Sequence, residues 1–422
     1  MTALVGFMNK HGVAIAADSA VTFGNTHKVV NTGNKIFSLS KYAPVGIATY
    51  GNAAFMETPW ELVIKLYRKQ LGRKKYDTLE KYIDSFLSYL HKNEFFISDD
   101  TKKRILRNRA VDFYDICVRQ SRARVGFSGE KSVEFLQAEL EECQTHNAAD
   151  KINQFAEMKK CSKRKFLSYF QKEFSAVLPE MQLLVDNKAM QDIFLSAFYQ
   201  YLTVYIRHQS DSGLVFFGYG EEDLYPSMIN IVVADSFGTF LRYKRIDGSS
   251  GRITTDGTSA CVTPYAQVDV AQTIIRGINP SFWNIIQASV SEVLDNYRDF
   301  IFSKLQKDPI NDSLANEMQR LNHEKVAQQF VSQATSEFRQ QYTDKLLNTV
   351  AHLSKEDMAK LAESLVELTS LVRRMSPEEE TVGGPVDVAV VSKGDGFIWI
   401  KRKHYFDPQL NVNFINNYRD DE

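Results

Sequence analysis

Apolar residues along this chain fall into short, nearly continuous runs in three blocks. Between these lie two long blocks in which apolar residues recur every three or four positions. The first block covers residues 2–55. TALVGFM and GVAIAAD, joined by the turn-like Asn9-Lys10-His11-Gly12, read as strands, as do KIFSL and PVGIATY beyond them. Their runs scarcely alternate with polar residues, so their sheet should be covered on both faces. At Pro59 the period changes. WELVIKLYRKQL, TLEKYIDSFLSYLHK, SVEFLQAELEEC, KFLSYFQKEFSAVL and DIFLSAFYQYLTVYI carry apolar residues at helical spacing as far as about residue 210. Strand character returns at 213–247 in GLVFFGYG, MINIVVAD and GTFLRYKRI. A second helical block runs from about 264 to 375, and its last helix places Leu361, Leu365, Leu368, Val372 and Met375 on one face. After Pro377, PVDVAVVSKGDGFIWIKRKHY reads as a hairpin turning at Lys393-Gly394-Asp395-Gly396. The tail from Asp407 is polar.

The order is therefore strands, helices, strands, helices, strands. Two separate domains have no need to divide their strands among three stretches of chain. The economical arrangement is one α+β layered core whose sheets draw on the beginning, middle and end of the sequence, with the surplus helix inserted into it.

Composition narrows the function classes. The chain has 422 residues, 44% hydrophobic and 24% charged, which is ordinary for a globular protein and sufficient for a substantial core. A formal net charge of −1 argues against a chain-wide basic footprint for nucleic acid. Basic runs occur at Arg68-Lys69…Arg73-Lys74-Lys75, Lys102-Lys103-Arg104…Arg107…Arg109 and Lys159-Lys160…Lys163-Arg164-Lys165. They lie on predicted helices among acidic neighbours, where solvated faces are the ordinary reading and a nucleic-acid groove the sharper one. The longest apolar runs fall short of a membrane span, and the start lacks the basic-then-apolar layout of a secretory signal, so a cytoplasmic location and no membrane partner are expected. Cys117, Cys143, Cys161 and Cys261 form no CxxC pair and read as free thiols. There is no HExxH or Walker-type glycine loop, and Gly218-Tyr219-Gly220 lacks the third glycine of a dinucleotide fingerprint, so no cofactor or metal is expected.

The candidate chemistry sits at the start. Thr2 follows Met1, and methionine removal favours a small second residue, so a mature chain beginning at Thr2 is expected. A terminal threonine carries a hydroxyl nucleophile and its own α-amine, whose pKa of about 8 lets it act as general base. Such a site also needs a neighbouring cation, a carboxylate to orient it and a backbone donor for the oxyanion. Asp18 ends the second strand, Lys35 begins the third, and Gly51 follows the fourth.

In this order the residues resemble a known family. Thr2…His11-Gly12-Val13…Ala16-Ala17-Asp18-Ser19 is similar to the start of proteasome β-type subunits, members of the N-terminal-nucleophile (Ntn) hydrolase superfamily. Asn34-Lys35-Ile36 resembles their lysine strand, and Tyr50-Gly51-Asn52-Ala53-Ala54 their glycine loop. Thr22-Phe23-Gly24-Asn25-Thr26 is similar to the proteolytic subunit of the bacterial two-component ATP-dependent protease. GLVFFGYGEEDLYPSMINIVVADSFG resembles the family's central hairpin, and Gly383-Gly384-Pro385-Val386-Asp387-Val388 its closing strand. The resemblance implies a four-layer αββα Ntn-hydrolase sandwich with two long helical insertions. Core segments would be 1–57, 211–284 and 351–406, insertions 58–210 and 285–350, and a polar tail 407–422.

It also implies a threonine peptide or amide hydrolase. Thr2 would be the nucleophile, Asp18 and Lys35 its charged partners, and the Gly51 N–H the oxyanion donor. The sequence departs from the pattern in two places. Where the family places Asp-x-x-Ser before the closing Gly-Gly, this chain has Glu379-Glu380-Thr381-Val382. Glu379 is the candidate replacement for the acid, and Val382 has no hydroxyl to offer. The Gly-Ser-Gly loop before the third helix is not recognisable. Ser259 is its nearest counterpart, although a turn or N-cap role is the ordinary reading for such a serine. Each residue also has a bland reading: an unprocessed start, a strand-end carboxylate, an exposed strand lysine and a turn glycine. The alternative function is a catalytically inactive proteasome-like fold serving as an assembly or protein-binding module. Partners implied by the resemblance are a peptide or amide substrate, further copies of the chain and an unspecified ATP-dependent protein; nucleic acid is not expected.

Overall fold

The computed structural model describes residues 2–23, 28–92, 97–206, 208, 210–305, 323–376, 382–404, 406–407 and 410–411. The chain forms two compact units, each containing an antiparallel sheet.

The first unit comprises Met1–Gly33, Arg252–Val390 and Ile398–Glu422. Its sheet has five strands in the order Ala260–Ala266, Leu4–Asn9, Gly12–Ala17, Asp387–Ser392 and Gly396–Lys401. The strands Leu4–Asn9 and Gly12–Ala17 are buried at every position, as their unbroken apolar runs require. Ala260–Ala266 falls partly within the stretch expected to be helical. Its Pro264 cannot donate to a ladder, but this strand lies at the sheet edge and pairs on one side only, where proline is tolerated. Helix then begins at Val268.

The helix Lys355–Met375 starts where the Ser354 hydroxyl accepts the Asp357 N–H. It buries Met358, Ala359, Ala362, Val366, Thr369 and Ser370, and these pack with Ala3, Val5, Phe7, Ala14 and Ala16 in one core cluster. The apolar stripe that the period picks out is not the buried face. Leu361, Leu368 and Met375 are exposed, and Leu365 is only partly buried. The strands beneath present alanines, so close approach selects the helix face that carries Ala359 and Ala362 over the bulkier leucine face.

The second unit comprises Asn34–Gly251 and Val391–Phe397. Its sheet runs Phe240–Arg245, Ser227–Phe237, Ser212–Gly218, Val45–Gly51 and Ile36–Ser38. The helices Trp60–Leu71 and Leu79–Lys92 bury Trp60, Ile64 and Phe86 against Ile47, Phe216 and Ile229 of this sheet. Four further helices, Asp99–Ala123, Ser132–Ala149, Lys163–Val177 and Lys188–Thr203, surround an aromatic core of Phe113, Phe166, Phe170, Phe194 and Phe198. Helical patterning over 58–210 therefore corresponds to helix, its apolar faces packed against the sheet and against one another. Among the described residues no helix is long and apolar enough to cross a membrane, and all four cysteines are free thiols.

Candidate functional site

Asp18 ends the second strand with its side chain turned back into the first unit, and it is 1% exposed. Its carboxylate accepts three backbone N–H groups: Oδ1 from Ala3 at 2.8 Å, Oδ2 from Ala20 at 3.0 Å and from Gly383 at 3.1 Å. The Asp18 N–H in turn donates to the Ala3 carbonyl at 3.1 Å. These donors satisfy acceptor oxygens that burial would otherwise strand without partners. Through Ala3 the same carboxylate fixes the backbone directly after Thr2, which is 6% exposed. Ser19 extends the clamp: its N–H donates to the Gly383 carbonyl at 3.1 Å and its hydroxyl to the Pro385 carbonyl. The start of the chain and the segment that leads into its closing hairpin are thus tied together at Asp18.

Gly383 was legible in the sequence only as half of a Gly-Gly pair; its N–H emerges as an Asp18 ligand. Val382, where the resemblance would place a serine, is fully buried and packs in the cluster that contains Ala3 and Val5. The position has a core role that a hydroxyl would not fill. Glu379 and Thr381 lie outside the described residues, as does Met1.

Ser259 is exposed, and the strand register explains its place. Ala260 pairs with Asn9 and Ala266 with Leu4, so Ser259 lies at the far end of the first strand from Thr2. Seven residues at about 3.3 Å each put it on the order of 20 Å away. The end of this strand that lies near Thr2 is Ala266–Gln267, where Gln267 adopts φ +50° and leads directly into the helix Val268–Arg276. No serine upstream of Pro264 marks this turn, whose distinguishing feature is a left-handed backbone at a residue other than glycine.

Lys35 and Gly51 belong to the second unit. Lys35 is 5% exposed, so the ordinary expectation of a solvated strand lysine fails; lysine is seldom buried this far without a polar partner. Its carbonyl accepts the Thr49 N–H at 2.8 Å, continuing the pairing of Ile36–Ser38 with Val45–Gly51. Gly51 ends that strand at φ +78°, and a Cβ there would stand 2.6 Å from the Asp211 carbonyl oxygen. The position requires glycine both for its backbone angle and for its clearance.

No protein-family model and no curated protein matches this chain. Among solved structures it is similar to a mutant of Anbu from Hyphomicrobium sp. strain MC1, with TM-score 0.32 and 8% identity over 99% of this chain and 95% of that one. It is also similar to Anbu (ancestral beta-subunit) from Yersinia bercovieri, with TM-score 0.29 and 8% identity over 100% and 97%. The alignments run nearly the whole length of both chains, but superpositions this loose carry no argument about the site.

Proposed function

We propose that the protein is an N-terminal-nucleophile hydrolase of proteasome β type that cleaves a peptide or amide bond with Thr2 after removal of Met1. The observation that carries this reading is the Asp18 clamp, a fully buried carboxylate bonded to the amide that follows Thr2. A plain strand-end turn has no need of a buried charge at that point. The burial of Lys35 and the conformation of Gly51 support the same reading. The Thr2 hydroxyl adds to the scissile carbonyl, and its proton passes to the Thr2 α-amine. Collapse of the tetrahedral intermediate breaks the C–N bond, and the leaving amine takes that proton. Water then hydrolyses the acyl ester and frees the hydroxyl. Lys35 and Gly51 take the roles that the resemblance gives them: a cation that eases the proton transfer, and an oxyanion donor. A cytoplasmic location and association with further copies of the chain belong to the same proposal.

Intact-mass spectrometry of the native protein, with and without an electrophilic peptide probe for N-terminal threonine, tests this. The expected result is a chain lacking Met1 and labelled once at Thr2, with labelling abolished in Thr2→Ala. A retained Met1, or a demethionylated and folded chain that takes no label, would overturn the reading.

A further inference from the structure

In the basic run Lys102–Arg109, Lys102 donates to the Gly238 carbonyl at 3.0 Å and the other members find carboxylates. Lys103 pairs with Asp99 at 2.7 Å, Arg104 with Glu57, and Arg107 with Glu173. Arg109 is different. It is 5% exposed, and it faces inward from the helix Asp99–Ala123 into a buried network of four charges. Its Nε donates to Asp235 Oδ2 at 3.1 Å and its Nη2 to Asp211 Oδ1 at 3.2 Å. Asp235 is gripped from its other side by Arg242, through Nε at 2.7 Å and Nη2 at 2.6 Å. Arg242 Nη1 also reaches the Leu202 carbonyl at 3.3 Å. Two arginines and two aspartates balance, so the network is neutral as a whole.

The side of this network that faces the sheet touches the glycine loop. The Asn52 N–H donates to the Asp211 carbonyl at 3.0 Å, and the Asn52 side chain to the Ser210 carbonyl at 3.2 Å. The Ser212 hydroxyl returns a bond to the Asn52 carbonyl at 3.0 Å. Gly51 lies so close to the Asp211 carbonyl that only a hydrogen fits between them. Asp211 is therefore the wall against which the Gly51–Asn52 turn rests. Two bonds fix its own conformation: Oδ1 is held by Arg109, and Oδ2 accepts the His208 N–H at 2.8 Å.

We infer that Arg109 and Asp211 are positioning residues, through which the inserted helix Asp99–Ala123 sets the place of the Gly51–Asn52 backbone. This rests on the reading of Gly51 as oxyanion donor for its catalytic consequence, and on the structure alone for its mechanical one. Buried ion networks are a poor source of net stability but a good source of fixed geometry, and a donor displaced by about 1 Å loses roughly 100-fold in rate. The helical insertion is then a working part of the site and not an appendage.

The test compares Arg109→Met, Arg109→Lys and the neutral pair Arg109→Met/Asp211→Asn in the full-length protein. The double variant guards against simple misfolding, because it leaves no charge unbalanced. The first readout is hydrogen exchange of the peptide spanning residues 48–55. Arg109→Met and the double variant should exchange there at least about tenfold faster, while the strand Leu214–Gly218 keeps its protection. The second is hydrolysis: kcat should fall roughly 10- to 100-fold with KM nearly unchanged, and Arg109→Lys should restore only part of it, since an ammonium cannot span Asp211 and Asp235 as the guanidinium fork does. Unchanged exchange at 48–55, or a rise shared equally by the whole sheet, would overturn the inference. If the wild type hydrolyses nothing, the proposed function fails, and the exchange experiment still decides the positioning role.

Discussion

Asp18 accepts N–H groups from Ala3, Ala20 and Gly383, so replacing one of its oxygens with an NH2 group sets donor against donor. Asp18→Asn should lower stability by about 1–3 kcal/mol, read from urea unfolding, and should slow labelling of Thr2 by more than that loss explains. Gly51→Ala should be costlier than its size suggests. The new methyl would meet the Asp211 carbonyl at 2.6 Å, and φ +78° is strained for alanine. A loss of more than about 1 kcal/mol in unfolding free energy is expected. At Asp235, burial alone would raise the carboxyl, but Arg242 and Arg109 outweigh it and hold the pKa at about 2, below the ordinary 3.8. The folded state therefore gains stability from this group above pH 3.8 and loses it as the pH falls through about 2. At about 1.4 kcal/mol per unit the amount is roughly 2 kcal/mol. Removing one partner leaves a buried charge uncompensated, so Asp235→Ala should cost about 3–5 kcal/mol near neutral pH and flatten the acid limb of the stability curve. At this scale the sequence disclosed the types and order of Thr2, Asp18, Lys35 and Gly51. It could not disclose that Asp18 is served by main-chain donors, because a backbone N–H leaves no letter behind.

Helices and strands were legible by their period, and the errors lie where period says nothing. The helix Lys355–Met375 carries two apolar stripes, and periodicity favours the larger side chains. Packing chose the smaller ones, because the strands beneath are lined with Ala14 and Ala16. Two methionines on this helix separate the alternatives. Met358→Ala, at a fully buried position, should cost about 2–5 kcal/mol, whereas Met375→Ala, at a position 71% exposed, should stay within about 0.5 kcal/mol. Thermal unfolding of the two variants side by side reads the difference. The strand Ala260–Ala266 was missed for a related reason: Pro264 argues against a strand until the strand is known to be an edge. Arg109 was hidden in a run of basic residues whose other members do sit at the surface, and nothing in its spacing distinguishes the one that turns inward.

The two units draw on the chain differently. Residues 34–251 carry five of the six strands of one sheet, from Ile36 to Arg245, and the first residue of the short sixth, Gly251–Arg252, together with both of the second unit's core clusters. The first unit takes its sheet from the beginning, middle and end of the sequence. A fragment of residues 34–251 should therefore unfold in one cooperative transition followed by circular dichroism, while a fragment of residues 252–422, deprived of the strands Leu4–Asn9 and Gly12–Ala17, should show none. The division has a consequence for synthesis. The strand that begins at Leu4 leaves the ribosome roughly 250 residues ahead of its neighbour Ala260–Ala266, an interval on the order of tens of seconds at 5–20 residues per second. Thr2 is almost wholly enclosed in the folded chain. On the proposed reading, methionine excision has that interval in which to act, and the maturation of the nucleophile is timed by translation of the rest of the chain.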